Sequence, residues 1–137
     1  MAPSKAVSAG FVAAGLFNIV GIGGATMGFT SDRLAAVDPG AFSHTGSAVI
    51  CIWGLAYIAL STRYHLAPVV SLVFGIEKAF YAIRWAWWLS ANSADVPTAE
   101  APFFFTYGLG DALWGLFFVW VWWRYRLTAP VPAPPST

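Results

Sequence analysis

Cysteine and histidine are scarce in this chain. Cys51 is its one thiol, and only His44 and His65 carry imidazoles. A single cysteine excludes an internal disulfide and any CxxC redox pair; a lone buried thiol packs as a small apolar side chain. The histidines bracket the second apolar segment, ~30 Å apart if that segment crosses a bilayer, so they cannot share one haem or one zinc ion. With no Ser-His-Asp arrangement and no helical metal-ligand motif in the sequence, neither a metal site nor a catalytic residue is expected. Charge is also in short supply. Charged residues make up 9% of the chain, against ~25% in an ordinary soluble domain. A net charge of +1 gives no footprint for nucleic acid. What is there instead is apolar: 58% of residues are hydrophobic and 18% aromatic.

A helix that crosses a bilayer needs ~20 mostly apolar residues. Segments 6–29, 44–62, 67–90 and 102–123 qualify. They predict an all-α integral membrane antiparallel four-helix bundle, one domain over residues 1–127. The stretches between them, TSDRLAAVDPGAFS, STRYHLAP and ANSADVPTAEAP, carry a cap, a DPG turn and prolines. After Arg126 the sequence LTAPVPAPPST cannot hold a helix, so 128–137 is expected to be a disordered, Pro-rich cytoplasmic tail. The first span resembles a signal peptide superficially. Its apolar run exceeds the ~7–15 residues of a signal core and includes Asn18, which predicts a retained helix.

Lys5, Arg63, Arg124 and Arg126 lie at the two termini and in the second connection, whereas the first and third connections hold only Arg33 among four acids. The positive-inside rule then puts both termini in the cytoplasm. Trp85, Trp87 and Trp88 fall at the outer interface, and Trp120, Trp122, Trp123 and Tyr125 at the inner one, as two aromatic belts.

The third span, around VFGIEKAFYAIRWAWWL, contains Glu77, Lys78 and Arg84. At 100° per residue, Glu77, Tyr81, Arg84 and Trp88 share one face, Lys78 lies beside it, and Val69, Leu72, Ile76, Phe80, Ile83 and Trp87 form an apolar back. Glu77 and Lys78 lie ~15 Å from the cytoplasmic end of their helix and Asp111 ~18 Å from the end of its own, with Asn18 at a similar depth. An ionised residue at mid-membrane costs ~2.5–3.5 kcal/mol, so four unpaired ones would cost ~10 kcal/mol. Pairing is the expected resolution: Lys78 with Asp111, and Glu77 with Arg84 through Tyr81, with Asn18 and Tyr107 adding hydrogen bonds. Gly108 and Gly115 flank the Asp111 face, and Gly24-x-x-x-Gly28 has the spacing of a close helix contact. Trp53, Tyr57 and Trp114 are candidates to line a cavity with Tyr107, or to fill space between helices.

At WGLAYIALSTRYHLAP, VFGIEKAFY and YGLGDALWGLFF the chain resembles small, uncharacterised four-helix bacterial membrane proteins over residues 10–125. In helix count and size it is also loosely similar to the DoxX-like group. The resemblance implies a multi-pass protein of the bacterial inner membrane and brings no catalytic residue with it. The polar cluster leaves three functions open. The first is a non-enzymatic membrane protein, an accessory subunit or small-ligand binder. The second is a proton-coupled transporter or channel subunit working as a dimer through Glu77 and Asp111. The third is a membrane enzyme acting on a lipid or quinone. The lipid bilayer is the expected partner, with a homodimer or larger membrane complex around it; no cofactor is indicated.

Overall fold

The structure, a computed structural model, describes residues 3–127; the expected tail at 128–137 lies outside them. All regular structure among the described residues is helical. Four long helices, α1 (Lys5–Ala25), α4 (His44–Leu60), α5 (Pro68–Asn92) and α7 (Tyr107–Tyr125), are joined by connections that include short α2 (Arg33–Val37), α3 (Pro39–Phe42) and α6 (Ala101–Phe104). A 3-10 turn, Ser93–Asp95, follows α5.

Local chemistry sets the ends. α1 stops at Ala25, four residues short of the sequence expectation, because the chain turns left-handed at Met27, Gly28 and Phe29. Gly28 N–H reaches back to the Gly23 carbonyl at 2.7 Å, which satisfies a carbonyl of the last turn. The Thr26 hydroxyl donates to the Ile22 carbonyl at 2.7 Å and accepts from Phe29 N–H at 3.2 Å, which holds the two strained residues in place. The Asp38 carboxylate caps α3 by accepting from Ala41 N–H at 3.2 Å, and Pro39 pre-sets its first turn. Ser43 caps α4 in the same way through Gly46 N–H. The fourth span, expected unbroken over 102–123, is interrupted at Phe105 and Thr106 between α6 and α7.

α1 packs on α4, and α5 on α7. Glycine makes each contact close. A methyl group at Gly54 would lie 2.8 Å from the Gly15 carbonyl oxygen, and one at Gly75 2.7 Å from Val119 Cγ2 and 3.4 Å from the Gly115 carbonyl oxygen. A methyl group at Gly24 or Gly28 would meet nothing within 4 Å, so their spacing is not the packing motif it was expected to be. Gly24 instead belongs to the last turn of α1 and Gly28 to the left-handed turn after it.

Aromatic rings fill the space between the two pairs. Phe11 of α1 stacks on Tyr64 and meets Phe74 and Phe118 edge-on, and Tyr57 meets Phe74 at 4.7 Å and Phe118 at 4.8 Å. A repeat underlies this. Trp53-Gly54-Leu55 in α4 and Trp114-Gly115-Leu116 in α7 are the same tripeptide. Residues separated by the same interval of 60 or 61 meet across the molecule: Asn18 with Lys78, and Tyr64 with Tyr125. Phe42 with Phe103 and Tyr57 with Phe118 follow the same rule. Each half is therefore a long helix, a connection with a short helix and a second long helix, and equivalent positions of the halves meet at the centre.

Two apolar clusters close the ends. At the terminal end Val7, Phe11, Tyr57, Tyr64, Phe118 and Tyr125 pack together. There the Tyr64 hydroxyl accepts from Ser4 N–H at 2.6 Å, and burial beside Tyr125 pushes its phenol up to about 12. At the cap end Leu34, Ala41, Phe42 and Phe104 pack with Ile22 and Ile50. Along α5, Val69, Val73, Ile76, Phe80, Ile83 and Trp87 are exposed, a continuous apolar stripe that Leu72, half-buried, does not join. α1 and the stretch Ala101–Tyr125 are long and apolar enough to cross a membrane. α4 is apolar but has 17 residues, and α5 has the length, at 25, but carries three charges.

Candidate functional site

Between the two end clusters lies a polar layer. Lys78 projects from α5 at the Gly75–Gly115 crossing and is 1% exposed. Its ammonium donates to Asp111 Oδ1 at 2.5 Å and to Asn18 Oδ1 at 2.8 Å. Asn18 in turn donates through Nδ2 to the Ile50 carbonyl at 3.0 Å, so the network ties α1, α4, α5 and α7 at one level. The same ammonium lies 5.6 Å from the Tyr57 ring centre and 5.8 Å from that of Phe17, within cation–π range. The Lys78–Asp111 pair is the one anticipated from matching depths.

The second anticipated pair is not formed. Arg84 turns toward the cap end and grips Asp38 with two parallel bonds, Nη1 to Oδ2 and Nη2 to Oδ1, both 2.7 Å. This is the bidentate geometry that suits a guanidinium and a carboxylate. It pins the α2–α3 connection over the cap end, and a second bridge, Arg33 to Glu100, ties that connection to the one before α6. Tyr81 consequently bridges nothing between Glu77 and Arg84. Glu77 takes the Tyr57 hydroxyl as a donor to its Oε2. Its other oxygen, Oε1, is buried with no hydrogen-bond partner, and so is the Tyr107 hydroxyl.

Glu77 and Tyr107 both line a cavity of about 290 Å³. Asn18, Lys78, Tyr81 and Asp111 line it too, and Phe17, Gly21, Ile22, Phe42, Ile50, Phe103 and Thr106 complete its mostly apolar wall. Phe17, Gly21 and Thr106 are exposed, so the cavity reaches the surface beside α1 and the α6–α7 break. Its size lies near the lower end of the ~300–1,000 Å³ of small-molecule sites, and a few polar groups in an apolar wall is their usual chemistry.

Seven residues singled out from the sequence, Asn18, Glu77, Lys78, Tyr81, Arg84, Tyr107 and Asp111, thus divide. Six line the cavity, and Arg84 clamps its cap instead. Trp53, Tyr57 and Trp114 do not line it. Tyr57 is fully buried in the terminal cluster, against which Trp53 and Trp114 pack. Sequence reasoning missed Asp38, Phe42 and Phe103. Asp38 was legible as the residue before Pro39-Gly40, a helix-start signature. The rings had no such signal. Among the described residues no three His, Cys, Asp or Glu side chains stand close enough to share a metal ion.

No family model matches the chain, and no curated protein or solved structure matches it either.

Proposed function

We propose that this chain is an integral membrane four-helix bundle of the bacterial inner membrane, both ends cytoplasmic, that binds a small molecule in the cavity beside Glu77 and performs no chemistry on it. The exposed apolar stripe of α5 and the similar exposure of Val20, Ile52, Leu113 and Leu116 support a lipid-facing surface on all four long helices. The charges of α5 then point inward, where intramembrane ionisable groups are tolerated.

One observation carries the ligand reading. Glu77 lines an open cavity, and its Oε1 is buried with no hydrogen-bond partner. An unsatisfied buried polar group costs ~1–3 kcal/mol, which a bound partner would recover. Lys78, Asp111 and Asn18 satisfy one another; Glu77 does not share in that closure.

Native mass spectrometry of a mild membrane extract tests this. The wild-type protein is expected to carry a small molecule. Gly21→Leu is expected to lose it while staying folded, since the Gly21 side-chain position meets nothing within 4 Å and opens onto the cavity. An empty wild-type spectrum, or one holding only a second polypeptide, overturns the ligand reading; the latter makes the protein an accessory subunit.

A further inference from the structure

We infer that the molecule held in this cavity is a compact organic cation, an ammonium with apolar substituents, bound through Glu77 and the surrounding rings. The inference rests on the ligand reading above and deepens it.

Charge comes first. Two carboxylates, Glu77 and Asp111, face the cavity against one ammonium, Lys78. Arg84 contributes nothing to that balance, because Asp38 neutralises it at the cap. Lys78 is also committed, with Asp111 and Asn18 as its partners. The layer is therefore one positive charge short, and the shortfall sits at Glu77. A proton on Glu77 or a bound cation can supply it.

The walls favour the cation. Phe17, Phe42, Tyr81, Phe103 and Tyr107 all line the cavity together with Glu77. Phe42, Phe103 and Tyr107 are packed on one another at centroid distances of 5.1–5.3 Å, which makes one wall rigid. Aromatic rings around a carboxylate recognise organic ammonium groups, whose charge is spread over carbon and loses little hydration on entry. A metal ion would find too few oxygen ligands here, and an anion would meet Glu77 directly. The Lys78 ammonium already lies within cation–π distance of Phe17, so this wall accepts a positive charge.

The test uses the full chain in nanodiscs of phosphatidylglycerol, which carry no amine headgroup. The probes are benzyltrimethylammonium and its uncharged carbon isostere, neopentylbenzene, followed by saturation-transfer NMR. The cation is expected to bind at least tenfold more tightly than the isostere. Glu77→Gln, which keeps the side chain's shape and its Tyr57 contact, is expected to erase that preference. Phe103→Leu is expected to weaken the cation severalfold while leaving Glu77 intact, so the result does not hang on one variant's folding. If the affinity for the cation falls when phosphatidylcholine is added to the discs, the natural source is a lipid headgroup; if it is unchanged, the source is a free amine. Equal binding of both probes, in wild type and in Glu77→Gln, overturns the cation class yet leaves a cavity that binds apolar molecules. Absence of cation binding while mass spectrometry finds a bound neutral molecule overturns this inference alone. Absence of both overturns this inference together with the ligand reading.

Discussion

Lys78 shows how an ion pair can be read from a sequence and how a second one can be misread. Lys78 and Asp111 carry opposite charges near the middle of two different apolar runs, which marks them as partners in the sequence. Arg84 had two acids within reach, and the sequence offered Glu77, one turn and three residues away on the same helix. The structure chooses Asp38, because a bidentate grip on a loop carboxylate satisfies four polar atoms and caps the cavity at once. A contact that depends on how a loop folds back has no periodicity to reveal it. The Lys78–Asp111 pair makes its own prediction. Both side chains are at least 90% buried. Removing one partner strands a buried charge, at ~3–5 kcal/mol, while replacing both with apolar residues of similar size is close to neutral. Lys78→Met is therefore expected to lower the thermal midpoint in detergent sharply, and Lys78→Met with Asp111→Leu to restore most of it. A double variant no better than the single one would mean that Asn18 and the rings, not the charge pair, hold this layer.

At the scale of the helix, four apolar runs were plain in the sequence, while their contacts were not. Length and composition report whether a segment can be a helix. They do not report which glycine of one helix meets which glycine of another, since the partners lie far apart in the chain. Gly24 and Gly28 carry the familiar spacing and end up in a turn. Gly15 and Gly54 carry no shared motif and bring two backbones together. Substitution separates the two kinds. Gly54→Ala places a methyl 2.8 Å from the Gly15 carbonyl and 2.9 Å from Ile19, and neither the backbone nor a packed branched side chain can yield cheaply. A loss of ~1–3 kcal/mol is expected, the usual range for overpacking. Gly24→Ala meets no neighbour and is expected to gain up to ~1 kcal/mol from helix propensity alone. Thermal unfolding followed by circular dichroism checks both signs. The break at Phe105 and Thr106 was likewise hidden, because a hydropathy window averages across it.

Over the whole molecule, the distribution of Lys and Arg makes the orientation testable. A green fluorescent protein fused after the last residue is expected to fluoresce, and alkaline phosphatase at the same point to stay inactive; the reverse result would invert the bundle. The likeness of one half to the other is hard to see in the sequence because its identities are scattered: Phe42 with Phe103, Trp53-Gly54-Leu55 with Trp114-Gly115-Leu116 and Tyr64 with Tyr125 match, while Asn18 stands against Lys78 and Ile50 against Asp111. That difference has a consequence. In an assembly of two identical hairpins, each side chain on the axis confronts its own twin, so a lysine there would repel a lysine. Within a single polypeptide that constraint is absent: asparagine stands in one half where the other has lysine, and isoleucine where the other has aspartate. The difference between the halves lets the central lysine of one meet a hydrogen-bonding amide of the other instead of a second positive charge.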